Sequence, residues 1–149
     1  DGGPQPPRVG QVAPPYPAIT LDGDSVALRD FRGRTVLLNL WATWCAPCRE
    51  ETPFLQSVYQ ENRERGLEIV GISLDSRDQR TAVADFVDEY GVTYSILWDP
   101  GMRGMDRYQV LGLPATFLLD EEGVIRWMRY GPVDEADRDF LDALESVLE

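Results

Sequence analysis

Leu38-Asn39-Leu40-Trp41-Ala42-Thr43-Trp44-Cys45-Ala46-Pro47-Cys48-Arg49-Glu50-Glu51-Thr52-Pro53 is the stretch that decides how this chain folds. The run from Arg34 to Trp41 is almost continuously apolar. A strand buried on both faces reads this way, because neither face needs a polar alternation. From Cys45 to about Arg65 the pattern becomes helical, with Leu55, Val58, Tyr59 and Asn62 along one side. Pro53 lies inside that helix and is expected to kink it, since it removes a backbone donor. Both cysteines of the chain therefore stand where a buried strand gives way to a helix.

Working outward, Ala18–Leu21 and Ser25–Leu28 flank Asp22-Gly23-Asp24 and predict a β-hairpin. Leu67 to Leu74 predicts a second buried strand. Val83, Phe86, Val87 and Tyr90 follow the i, i+3, i+4, i+7 spacing of a helix, with Gly91 as its C-terminal stop. A short strand is expected at Ser95–Trp98 and a short helix at Met102–Val110. Ala115–Leu119 and Val124–Arg129 form a second hairpin, and Asp134–Glu149 a last helix with Phe140, Leu141, Leu144 and Leu148 inward. Strands alternating with helices predict an α/β fold, a central mixed sheet flanked by helices. Six of the eleven prolines lie between residues 4 and 17, a composition that favours extended chain. Residues 1–10 are read as a linker and 11–149 as the domain. The segment Arg77–Arg80, with Asp75 and Asp78, is read as a solvated helix start.

The 149 residues suffice for one domain with a real core. Twenty-six acids against 14 bases give a net charge of −12, which argues against nucleic-acid binding. There is no histidine, so Ser-His, Cys-His and His-metal chemistry are excluded; every base is Arg, so lysine mechanisms are excluded too. No stretch approaches the roughly 18 apolar residues of a membrane span. Asp1-Gly2-Gly3-Pro4 lacks the charged and apolar regions of a signal peptide, so the numbered chain is expected to be a mature form or a trimmed domain.

The chemistry must then rest on Cys45 and Cys48. A Cys at a helix N-terminus has its thiolate stabilised by unpaired N–H groups and the helix dipole. Two intervening residues let the sulfurs meet within one turn, and Pro47 is tolerated there because first-turn N–H groups lack helical partners. A zinc site would need two further ligands, and neither a second Cys pair nor a His exists. An inert disulfide closing so short a loop would remove little unfolded-state entropy. A redox dithiol is the reading that explains the pattern.

The chain resembles the thioredoxin superfamily, and within it the TlpA/ResA-like extracytoplasmic thiol–disulfide oxidoreductases. Residues 38–53, the Gly112-Leu113-Pro114-Ala115-Thr116-Phe117-Leu118-Leu119-Asp120 segment and the leading hairpin ending Leu28-Arg29-Asp30-Phe31-Arg32-Gly33 carry the resemblance. It implies a thioredoxin-like fold with an added N-terminal β-hairpin and no bound cofactor. Cys45 is then the nucleophile, Cys48 the resolving thiol, and the Leu113–Pro114 bond cis, beside the backbone of an extended substrate. A partly buried Glu51 would handle protons for the thiols, a role that Asn39 in the preceding strand cannot take. Trp41 and Trp44 would wall the site, with Trp44 and Pro47 facing substrate. The resemblance further implies protein thiol substrates, reduction of cysteines as in cytochrome c maturation, a membrane thiol–disulfide electron donor, a periplasmic or cell-envelope location and a monomer. A net oxidant and a redox-inactive module holding a partner or Cu(I) are the rival readings. A thiol peroxidase is disfavoured because Trp-Cys-x-x-Cys does not match its spacing.

Overall fold

The computed structural model describes residues 6–148. In chain order the strands and helices are β1 (Pro17–Ile19), β2 (Ser25–Ala27), β3 (Thr35–Trp41), α1 (Ala46–Asn62), β4 (Leu67–Ser73), α2 (Arg80–Glu89), β5 (Ser95–Trp98), α3 (Arg103–Arg107), β6 (Ala115–Leu119), β7 (Ile125–Tyr130) and α4 (Arg138–Leu148). The strands form one mixed sheet in the order β2-β1-β5-β4-β3-β6-β7. β3 pairs parallel with β4 and antiparallel with β6, and β5 joins β4 in parallel. The expected added hairpin is present, and it extends the central sheet through Ile19 opposite Trp98.

The period of two in β3 explains its unbroken apolar run. Val36, Leu38 and Leu40 enter a core shared with Val70, Ile72, Phe117 and Tyr108. Leu37 faces the other way, into the core under α1 and α4 with Leu55, Val58, Phe140 and Leu144. Asn39 and Trp41 alternate with Leu38 and Leu40 and so share the face of Leu37. One polar residue is thereby delivered to the α1 side of a strand whose every residue is buried.

α1 runs unbroken through Pro53. The last helix starts at Arg138, four residues later than expected. The Asp134 and Asp137 side chains bond the N–H groups of Ala136 and Asp134, which holds this stretch as turn. Short acidic side chains compete with helix in this manner. The expected Met102–Val110 helix is confined to Arg103–Arg107, preceded by Met102 in a left-handed conformation.

The proline-rich start docks on the domain. Residues 1–5 lie outside the described residues, but Pro7 is buried, and the Gly10 N–H donates to Ile125 O at 2.8 Å. Tyr16 donates to Asp99 Oδ2 at 2.7 Å, and Asp99 in turn accepts from the N–H groups of Arg103 and Gly104. The Tyr16 ring lies so close over Gly104 that a Cβ there would collide with it.

Candidate active site

β3 and α1 meet at Cys45, which caps the helix: its Sγ accepts the Cys48 N–H at 3.2 Å. Pro47 occupies the first turn, where its missing N–H costs nothing. Cys45 and Cys48 form a disulfide, with Cα atoms 5.2 Å apart. Both are buried, Cys45 at 6% and Cys48 at 1% exposed, so the cysteine nearer the helix start is also the slightly less buried one. Beneath them lie Trp41, Ala42, Val83 and Phe86, and the Trp41 and Phe86 rings stand 4.8 Å apart. Above them Trp44 is 62% exposed and Pro47 is exposed. The Leu113–Pro114 peptide is cis, and Leu113 packs against the same cluster as the cysteines. The topology thus brings Trp44, Pro47, Leu113 and Pro114 to one region.

Because the Cys45 sulfur caps a helix and Cys45 is the slightly less buried of the two, it should be the more acidic and more reactive thiol. In the reduced protein, iodoacetamide at mildly acidic pH is expected to label Cys45 first, read by peptide mapping. Preferential labelling of Cys48 would contradict this order.

Glu51 stands one turn beyond Cys48 and is only 3% exposed. Asn39 Nδ2 donates to its Oε1 at 3.0 Å, and the Val133 N–H donates to its Oε2 at 2.9 Å. Asn39 is itself set by Thr116, its cross-strand partner, whose Oγ1 lies 3.2 Å from the same Nδ2. Burial raises the Glu51 pKa from 4.5 to about 7, against the opposing pull of the Val133 and Asn39 donors. A carboxyl poised there can both take and give a proton near neutrality. The neighbouring Glu50 is exposed. Asn39, set aside in the sequence because it cannot ionise, joins the Val133 N–H in fixing Glu51 in place.

Asp75 corrects the sequence reading. Expected in a solvated helix start, it is 0% exposed. Its oxygens accept from Thr43 N (3.0 Å), Thr43 Oγ1 (2.6 Å) and Ser73 Oγ (2.7 Å). The physical reason is that Asp75 leaves β4 beside the end of β3, with Leu74 N bonded to Trp41 O, so its side chain meets the loop that carries the cysteines. The rest of that expectation holds: Arg77–Arg80, Asp78 included, is exposed and leads into α2. A findable signal existed: an acid directly after a buried parallel strand lies at the carboxyl edge of the sheet, where sites of such folds gather.

A disulfide-forming cysteine pair at a helix start on a thioredoxin-like sheet is the arrangement of the thiol–disulfide oxidoreductases. Comparison with known proteins agrees. The model of the AhpC/TSA family matches residues 9–128, and the chain belongs to that family. It is 36% identical over 118 residues to the thiol-disulfide oxidoreductase ResA of Bacillus anthracis, covering 79% of this chain and 67% of the relative. Its structure is similar to that of a putative thiol:disulfide interchange protein DsbE from Chlorobium tepidum, with a TM-score of 0.86 at 24% identity over 96% of this chain and 99% of the other. It also matches a secreted thiol-disulfide isomerase from Corynebacterium glutamicum, with a TM-score of 0.79 at 26% identity over 91% and 84% of the two chains.

Proposed function

We propose that this enzyme works as a reductant of protein disulfides outside the cytoplasm. The observation that carries the reading is the Cys45–Cys48 pair at the start of α1, its slightly less buried member capping the helix. In the reduced state the Cys45 thiolate attacks a substrate disulfide, forming a mixed disulfide and releasing one substrate thiolate. The Cys48 thiolate then attacks Cys45 Sγ, closes the intramolecular disulfide and releases the second substrate sulfur. Two electrons pass from the enzyme to the substrate.

Cys48 is buried and must lose its proton before it attacks; Glu51, ionised in part near neutrality, is the acceptor on the same helix side. Trp44 and Pro47 form the face a substrate meets, and the loop at Leu113 and Pro114 receives its extended backbone. The enzyme acts as a monomer and without a bound cofactor. Its substrates are cysteines held for later chemistry, such as those of apocytochrome c, and a membrane thiol–disulfide protein restores the dithiol. The location is supported by the relative described as secreted; among the described residues, no helix is long and apolar enough to cross a membrane.

The reduction potential decides the direction. Equilibration with a glutathione or dithiothreitol couple is expected to give about −270 mV or lower, the range of thioredoxin-type reductants. A value near about −120 mV would make the protein a disulfide-forming oxidant instead.

A further inference from the structure

The loop between β3 and α1 holds the attacking sulfur, and within residues 42–45 it is closed by the Cys45 N–H donating to Ala42 O at 3.2 Å. Thr43 is gripped on three sides. Its N–H and hydroxyl both donate to Asp75, at 3.0 and 2.6 Å, and its carbonyl accepts from Arg49 Nη1 at 2.9 Å. Arg49 is the residue after Cys48, so that arm ties the loop to the first turn of α1. Asp75 is itself immobilised. Ser73 Oγ donates to its Oδ2, the Asp75 N–H returns a bond to Ser73 Oγ at 3.1 Å, and its carbonyl accepts from Trp98 Nε1 at 2.8 Å. Donors thus meet both carboxylate oxygens, and the side chain is sealed from solvent. A buried carboxylate is costly to keep unless such donors meet it. The position two residues before Cys45 is where this anchorage is delivered.

We propose that Asp75 is a positioning residue for thiol–disulfide exchange. Acting through Thr43, it fixes the backbone of Trp44 and Cys45, so that the Cys45 sulfur stays in its capping position over the Cys48 N–H. The proposal rests on the reading of Cys45 as the attacking sulfur. Its effect runs through geometry, and the sign separates it from a direct charge effect. Removing a nearby negative charge alone lowers a thiol pKa. Loosening the cap raises it, because the thiolate loses an N–H donor.

Two substitutions of Asp75 distinguish the cases. Asp75→Asn removes the charge and keeps the clamp: its carbonyl oxygen can accept from Thr43 N and Ser73 Oγ, and its NH₂ can donate to Thr43 Oγ1, which donates and accepts equally well. Asp75→Ala removes both charge and clamp. The measurements are the pH dependence of Cys45 alkylation and the rate of insulin disulfide reduction, beside thermal melting of each variant. Asp75→Ala should slow exchange about tenfold or more and raise the Cys45 pKa above that of Asp75→Asn, as misplaced reacting groups do. Asp75→Asn should restore the rate to within about threefold of the parent. Thr43→Val, which loses only the hydroxyl bond, should shift the same quantities in the direction of Asp75→Ala by a smaller amount, and it serves as the test if Asp75→Ala does not fold. Asp75→Ala or Thr43→Val melting lower but titrating and exchanging like the parent would overturn the proposal and leave Asp75 a structural residue. Equal lowering of the thiol pKa in both Asp75 variants would overturn it in favour of charge. Parent-like alkylation of Cys45 in the parent's own Cys48→Ala background, with no mixed disulfide formed, would instead refute the nucleophile assignment beneath it.

Discussion

Cys45→Ala is expected to lower protein-disulfide reduction by about three orders of magnitude or more, because in the proposed mechanism its thiolate is the nucleophile and no other residue type in the chain replaces it. Cys48→Ala should be equally inactive in turnover but for a different reason. Its Cys45 can still attack, and the mixed disulfide then has no partner to resolve it. The two variants are separated by non-reducing electrophoresis with an oxidised protein substrate: a covalent adduct accumulates with Cys48→Ala and is absent with Cys45→Ala. The asymmetry follows from the helix start: Cys45 caps α1 and is the slightly less buried of the two, 6% against 1% exposed. An adduct formed through Cys48 in the Cys45→Ala variant would reverse the roles.

The second large effect is on stability and concerns Glu51. Its pKa is about 7 in the folded chain, raised by burial from 4.5. Between those values the native state holds a proton that the unfolded chain has released. Stability therefore falls as pH rises through this window. The contribution is complete below about 4.5 and is lost once pH has passed through about 7, a change on the order of 3 kcal/mol for this gap. Glu51→Gln removes the titration, and the Asn39 amide can turn to offer its oxygen to the new NH₂. The variant should gain about 2–3 kcal/mol on the parent between pH 4 and pH 8, measured by urea unfolding of the oxidised proteins, in which the cysteines do not titrate. The other carboxylates are common to both chains and cancel in the difference. Parallel stability curves would show that Glu51 ionises as an ordinary surface acid and would remove it from the proton path.

Much of the fold was legible because local pattern and tertiary placement agree. The apolar run of Arg34–Trp41 reads as a doubly buried strand, and the strand is Thr35–Trp41; Ser95–Trp98 and Ala115–Leu119 fall where expected. The cysteine pair was legible because helix-start chemistry is local. The roles of Asn39 and Asp75 were not, because each depends on a neighbour distant in sequence. Asn39 meets Thr116 only once β3 and β6 are in register, and Glu51 only once α1 packs on that face of β3. Asp75 stands next to charged residues in the sequence, which suggested solvent, yet its partner Thr43 is 32 residues away. Tyr16 lies in the proline-rich stretch read as extended chain, and its burial involves Asp99 and Gly104, distant in sequence. Burial of a polar side chain is decided by such long-range pairings.

The sheet's two outer strands have a consequence for the company this enzyme keeps. β2 is three residues long, and the other edge, β7, carries Arg126 and Arg129, which form ion pairs with Asp120, Asp137 and Asp139. In the proposed role of reducing cysteines of chains not yet folded, its surroundings are polypeptides with unpaired strand edges. A long, flat, apolar border would template them into shared sheets. A stub on one side and a guanidinium-bearing strand on the other make poor templates, which suits the proposed role of holding such a chain by one sulfur.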